Sequence, residues 1–155
     1  MHNSGKSKIL LLMLLICLVL GAGKCALAGD MILNDLYGQP VNIASYQGKP
    51  VVLFFWTTWC PYCRAELKIL NQQSVSMAKE GIIVIGIDVN EPDYKVRRFF
   101  EGYQLNLKIL IDKTGSLSDK YGLLGVPTYV FLDKTGKEIT QAHNLPVDYK
   151  SLLFK

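Results

Sequence analysis

Cysteine is scarce in this chain. It has four in 155 residues, and Cys17 and Cys25 both fall within the first 28. Only Cys60 and Cys63 remain beyond that point, which excludes the disulfide framework of a small secreted domain. Histidine is scarcer still, at His2 and His143 alone. A zinc site would want a second pair of ligands at matching spacing, and none is present. Charge of one sign is missing too. Lys6, Lys8 and Lys24 precede residue 29 with no acid among them, which leaves 14 basic against 13 acidic groups in residues 29–155. A net charge of +1 over that stretch leaves no nucleic-acid footprint. The longest apolar run, Ile9 to Leu20, falls short of the ~20 residues of a spanning helix. Half the residues are nonetheless apolar, enough to build a core without structural disulfides.

The first 28 residues have the composition of a targeting segment. Lys6 and Lys8 precede the apolar run, and small residues follow, ending in Ala26-Leu27-Ala28. That order is the one a secretory signal needs, with a cut after Ala28. Cys17 then reads as one more apolar residue of the signal core. An uncleaved membrane anchor, extended through Gly21-Ala22-Gly23, stays open. So does lipidation at Cys25, because Ala22-Gly23-Lys24-Cys25 faintly resembles a bacterial lipobox, with lysine as the departure. The chain therefore divides into residues 1–28 as signal peptide or anchor and residues 29–155 as one domain.

What is present centres on Trp59-Cys60-Pro61-Tyr62-Cys63. The β-branched and aromatic run Val51 to Trp56 leads into it, without polar alternation, as a strand buried on both faces does. Behind it Leu67, Leu70, Ser74, Met77 and Ala78 recur at helical spacing, which predicts a helix over 61–79 ended by Gly81. Such a helix aims its free N–H groups and the positive end of its dipole at Cys60. That favours thiolate, the attacking species in disulfide exchange. Cys63, one turn further in, is placed to resolve a mixed disulfide. Pro61 suits a first helical turn, where no N–H is required. The constellation reads as a thiol–disulfide exchange site.

The rest of the chain alternates between strand and helix patterns. Met31 to Leu33 and Val41 to Ile43 read as short strands around the turn residues Tyr37-Gly38-Gln39-Pro40. Ile82 to Val89 reads as a parallel neighbour of the Val51 strand, joined by a right-handed crossover. Asn90-Glu91-Pro92-Asp93 is a helix start, and Val96, Phe99, Phe100 and Tyr103 give that helix a buried face reaching Tyr103. Lys108 to Ile111 reads as a strand and Ser116 to Tyr121 as a short helix. Thr128 to Leu132 and Lys137 to Gln141 read as strands joined through Asp133-Lys134-Thr135-Gly136. Val147 to Phe154 closes the chain as a helix. The pattern is that of one α/β domain. Asp112-Lys113-Thr114-Gly115 and Asp133 to Gly136 look like phosphorylated-aspartate motifs, but both lack the threonine that follows there and read as turns.

The segment Phe55-Trp56-Thr57-Thr58-Trp59-Cys60-Pro61-Tyr62-Cys63-Arg64-Ala65-Glu66 resembles the active-site segment of thioredoxin-like thiol–disulfide oxidoreductases of the TlpA/ResA type. Gly38 to Val41 and Gly48 to Val52 resemble that family's N-terminal extension. Gly125-Val126-Pro127-Thr128 resembles its cis-proline segment, so the likeness covers roughly residues 31–141. Leu67 stands where the family usually has proline, which implies a straighter helix. Thr57, three residues before Cys60, is similar to the peroxiredoxin pattern, but that family's proline seven positions before the cysteine is Leu53 here.

The resemblance implies a thioredoxin-like fold: a central mixed β-sheet flanked by helices, with an N-terminal β extension. It implies Cys60 as nucleophile and Cys63 as resolving thiol, with no cofactor beyond their own disulfide and no metal. It implies a cis Val126–Pro127 bond that sets the Val126 backbone beside Cys60, where an extended client could pair. Trp59, Pro61, Tyr62, Val126 and Pro127 are then the client-binding residues. Phe54 occupies the position of thioredoxin's buried acid, and Glu91, after the Ile82–Val89 strand, is the substitute proton acceptor; its other reading is a helix N-terminal acid. Arg64 and His143 read as surface residues. The implied partners are a disulfide-bearing client protein, often apocytochrome c before haem attachment, and a membrane thiol-transfer donor. The protein would be an exported monomer, in the periplasm or on the outer face of the cytoplasmic membrane, with a tether through residues 1–28. A copper-binding metallochaperone on the same fold, using Cys60, Cys63 and His143, is the alternative.

Overall fold

The computed structural model describes residues 31–154, so the targeting segment, Cys17, Cys25 and His2 lie outside the described residues. Seven strands form one mixed sheet: β1 (Ile32–Asp35), β2 (Pro40–Asn42), β3 (Val51–Trp56), β4 (Ile83–Val89), β5 (Lys108–Asp112), β6 (Thr128–Leu132) and β7 (Glu138–Ala142). The helices are α1 (Pro61–Lys79), α2 (Asp93–Phe99), α3 (Ser116–Lys120) and α4 (Tyr149–Leu153). The strand order across the sheet is β2-β1-β5-β4-β3-β6-β7. β3 runs parallel to β4, and β4 to β5, while the remaining pairs are antiparallel.

The central position of β3 follows from its composition. All six of its residues are buried, and alternate side chains feed two separate cores. Val52, Phe54 and Trp56 join Cys63, Leu67, Leu70 and Met77 of α1, Val96 of α2 and Leu153 of α4 on one face. Val51, Leu53 and Phe55 join Ile85 and Ile87 of β4 and Leu117 of α3 on the other. This two-sided burial is why neither face of β3 carries a polar residue. α1 runs unbroken from Pro61 to Lys79 with Leu67 buried in it.

Element boundaries differ from the sequence reading where side chains compete for backbone. Ile43 opens a 3-10 turn (Ile43–Tyr46) instead of extending β2. Asn42 accepts from the Ala44 amide at 2.9 Å, and the Ser45 hydroxyl donates to the Asn42 carbonyl at 2.7 Å, a local capping pattern that outbids the strand. α2 ends at Phe99, short of Tyr103, because the chain turns through Gly102 at φ +77°. Lys137 belongs to the turn and not to β7, since its amide is held by the Asp133 carboxylate at 3.0 Å. The two Asp-Lys-Thr-Gly segments are turns: Gly115 and Gly136 donate to the carbonyls of Asp112 and Asp133 at 3.1 and 3.0 Å.

Candidate active site

β3 delivers the chain to Thr57, and four residues later α1 begins. Cys60 is the residue that caps this helix, in extended conformation, and its Sγ accepts a hydrogen bond from the Cys63 amide at 3.2 Å. A sulfur therefore stands where a helix usually sets a Ser or Asp oxygen. Pro61 occupies the first helical turn. Cys60 and Cys63 are joined as a disulfide, with their α-carbons 5.2 Å apart. Cys60 retains 6% exposure, and Cys63, on the inner side of the helix, has 0%. Only the first sulfur can meet another molecule. Trp59, 65% exposed, and Tyr62 stand beside it on the surface, while Trp56 is core, against Phe99 and Phe100.

The second wall comes from β6. Its register pairs Thr128 with Phe55, which brings Pro127 to the end of the sheet where the Thr57–Cys60 loop leaves β3. The Val126–Pro127 bond is cis. Thr128 Oγ1 donates to the Gly125 carbonyl at 2.7 Å, and His143 Nδ1 donates to the Pro127 carbonyl at 3.0 Å. His143 is exposed, as the sequence suggested, yet it ties β7's end to the cis-proline segment. Leu124, fully exposed, and Leu123 precede that segment.

The third wall is Glu91. It follows β4 and is only 3% exposed. The Thr58 amide donates to its Oε2, the Thr58 hydroxyl to its Oε1 at 2.8 Å, and Lys95 pairs with Oε1. Burial pushes its proton affinity up, but Lys95, both Thr58 donors and Asp88 outweigh this and leave its pKa lowered. Glu91 therefore stands as a carboxylate gripping the residue two before Cys60. Its ion-pair partner Lys95 lies on α2, whose own first-turn acid is Asp93.

Two acids escaped the sequence reading. Glu66, one turn beyond Cys63 on α1, accepts from the Tyr129 hydroxyl at 2.7 Å. Asp88 lies inside the largely apolar run Ile82 to Val89, read only as a strand, and is 0% exposed. A lone acid in such a run, three residues before Glu91, was the available signal. Burial, then the neighbouring Glu91, pushes the Asp88 carboxyl up to about 9. Among the described residues no group of three or more His, Cys, Asp or Glu side chains could hold a metal ion. A cavity of about 440 Å³ is lined by Ile43, Lys49, Val51 and Leu132 at the far end of β3, remote from the cysteines.

Cys60 thus caps α1, with Cys63 buried one turn inside it. The AhpC/TSA family model matches residues 25–140. The chain belongs to the AhpC/TSA family. Among curated members it is 33% identical over 114 residues to the thiol-disulfide oxidoreductase ResA of Bacillus thuringiensis subsp. konkukian, covering 74% of this chain and 66% of that one. It is 36% identical over 110 residues to ResA of Geobacillus thermodenitrificans, covering 71% and 63%. The match thus spans just under two thirds of those relatives. Among solved structures, a secreted Mycobacterium tuberculosis disulfide oxidoreductase homologous to E. coli DsbE superposes with a TM-score of 0.65 at 32% identity, over 79% of this chain and 92% of that one. The pneumococcal exposed lipoprotein thioredoxin Etrx1 of Streptococcus pneumoniae gives 0.71 at 25% identity, over 79% and 97%. The resemblance to ResA-type thioredoxin-like proteins and the thioredoxin-like fold both hold for this AhpC/TSA member. Its Cys60–Cys63 pair lies within the matched segment.

Proposed function

We propose that the chain is an extracytoplasmic thiol–disulfide oxidoreductase that reduces disulfides in client proteins. One observation carries this most directly: the Cys60 sulfur caps a 19-residue helix and accepts the Cys63 amide, with the resolving sulfur buried behind it. In the reduced protein the same amide and the helix dipole favour the Cys60 thiolate. That thiolate attacks one sulfur of the client disulfide. A Cys60–client bond forms, the client bond breaks, and the departing client sulfur takes up a proton. Cys63 then loses its proton and attacks Cys60, releasing the second client sulfur as a thiol. Two electrons pass to the client, and the protein is left with the Cys60–Cys63 disulfide. A membrane thiol donor would return it to the dithiol.

Trp59, Pro61 and Tyr62 on the helix side and Val126 and Pro127 on the strand side flank the reachable sulfur and would hold an extended client segment. The secreted and exposed relatives, and the order of charged, apolar and small residues in 1–28, support export with cleavage or tethering through that segment. Apocytochrome c is the client class that the family likeness favours.

Cys63→Ala tests this reading. It removes the resolving sulfur and should leave the client covalently attached to Cys60. Non-reducing electrophoresis of the variant from its native compartment should show adducts that a reductant dissolves. An adduct-free variant that also lacks turnover would reject the reading.

Glu91→Gln has its own expected outcome. Gln offers one acceptor oxygen where Thr58 needs two, so the change should cost about 1–3 kcal/mol at pH 7 and slow exchange. Glu91's stabilising effect is present above its unfolded pKa of about 4.3 and is lost as pH falls through the lower folded value. The deficit in Tm should therefore shrink in acid. A deficit independent of pH between 3 and 7 would contradict the assignment of charge.

A further inference from the structure

Four buried side-chain atoms lack a hydrogen-bond partner among the described residues, and all belong to residues at the ends of β3 and β4. They are Trp56 Nε1, Thr57 Oγ1 and both carboxyl oxygens of Asp88. Asp88 pairs in register with Trp56 on one side and Ile111 on the other. Like Gly86 two residues earlier, it points into the layer under α1 and α2, where Gly86 meets the Trp56 indole. An ionised carboxylate without a donor in such a place is costly enough that it takes up a proton instead. The acid beside it is Glu91, three residues on, itself an acceptor already serving Thr58 and Lys95. Two carboxyl groups can share that space only if one of them carries a proton.

We propose that Asp88 is a positioning residue of the exchange site: it remains a neutral acid, donates its proton in a hydrogen bond to Glu91, and through Glu91 fixes Thr58 and the loop that carries Cys60. The chain of contacts is short. Asp88 holds Glu91, Glu91 takes both donors of Thr58, and Thr58 lies two residues before Cys60. Remove the proton and two carboxylates face each other in a buried space, with the Lys95 ammonium of α2 as their nearby cation and Asp112 of β5 adding a further negative charge. From the α1 side the ionisable groups are the Cys60 and Cys63 thiols, once the disulfide is reduced, and Glu66, which accepts from Tyr129. Repulsion then weakens the grip on Thr58, and the loop loosens as pH rises. The sign follows from linkage: a carboxyl whose folded value is raised destabilises the folded state progressively from about pH 4 up to that raised value.

This role rests on the exchange activity proposed above, so the test has one arm that needs exchange and two that do not. Asp88→Asn keeps a donor toward Glu91 but cannot titrate. If the inference holds, the ratio of Asp88→Asn to parent kcat/KM on a model disulfide should rise at least tenfold between pH 7 and pH 10. A ratio constant within twofold would overturn it. In the oxidised parent, where the cysteines do not titrate, the Asp88 carboxyl carbon should show by NMR a protonated form at pH 7. The Thr58 amide shift should follow its titration and should lose that step in Asp88→Asn. The gain in Tm of Asp88→Asn over the parent should also be larger at pH 8 than at pH 5. An Asp88 that titrates near 4, or a Thr58 amide indifferent to it, would overturn the proposal. A parent without exchange activity but with these NMR and Tm responses would reject the proposed function and leave the Asp88–Glu91–Thr58 chain standing.

Discussion

Cys60→Ser is expected to lower disulfide exchange by about 10³-fold or more, the scale seen when a covalent nucleophile is removed, and to form no adduct with any client. The comparison that gives this meaning is Cys63→Ala. Both variants lose the same cross-link, so any loss of stability from the missing disulfide is common to them. Their chemistry should nevertheless diverge completely. Cys60 keeps a sliver of exposed surface and Cys63 has none, so a client sulfur can approach one and not the other. The Cys60 sulfur also accepts the Cys63 amide at the mouth of α1, a donor that stabilises negative charge there. A serine hydroxyl at that position would take the same hydrogen bond and cap the helix well. It would keep the fold while remaining un-ionised at neutral pH. Activity should therefore vanish with the circular dichroism spectrum and Tm close to those of Cys63→Ala. Residual turnover within tenfold of the parent, or adducts formed through Cys63, would assign the attacking sulfur wrongly.

The parts of this site that were legible in sequence are those written in adjacent residues. The strand-to-helix junction, the proline after the first cysteine and the helical spacing of Leu67, Leu70, Ser74 and Met77 all lie within one stretch. The chain there folds as that stretch dictates. β6 was legible to the residue because Thr128 to Leu132 is buried throughout and its composition says so. The cis-proline was legible by resemblance alone, since nothing local distinguishes Val126–Pro127 from an ordinary X–Pro pair. What escaped is written across the sheet. Asp88 passes unremarked within the Ile82–Val89 strand until the β3–β4 register sets it beside Trp56. Glu91 reads as a proton acceptor or a helix-start acid, and only the fold shows Thr58, 33 residues earlier, against it. His143 reads as a surface residue, and is one, but the Pro127 carbonyl it meets is 16 positions away. Contacts of that kind depend on register and topology, which no periodicity encodes.

Trp56→Ala should be the most damaging single substitution away from the cysteines. Trp56 is fully buried at the C-terminal end of β3, with its ring 5.3 Å from Phe99 and 5.4 Å from Phe100, centroid to centroid. Those two rings pack edge to face on each other, and Tyr103 is stacked on Phe99 and edge to face with Phe100. Removing the indole takes away the surface against which α2 docks. The expected cost is about 3–5 kcal/mol, or a fall in Tm of about 10–20 °C in a domain of this size. That is a large part of a typical net stability of about 5–15 kcal/mol. Trp56→Phe separates packing from polarity. The indole N–H has no partner among the described residues, so deleting it relieves an unsatisfied donor while a phenyl ring keeps part of the contact with Phe99 and Phe100. The loss should then be under about 1.5 kcal/mol. Because Trp56 also supports Thr57 and Thr58, the alanine variant should lose exchange activity at temperatures well below its midpoint, as α2 and with it Glu91 let go of the loop first. Thermal unfolding followed by both tryptophan-independent circular dichroism and activity would show the two transitions separate in Trp56→Ala and coincide in Trp56→Phe. Equal stability of the two variants would mean that the ring cluster contributes little and that α2 is held by something else.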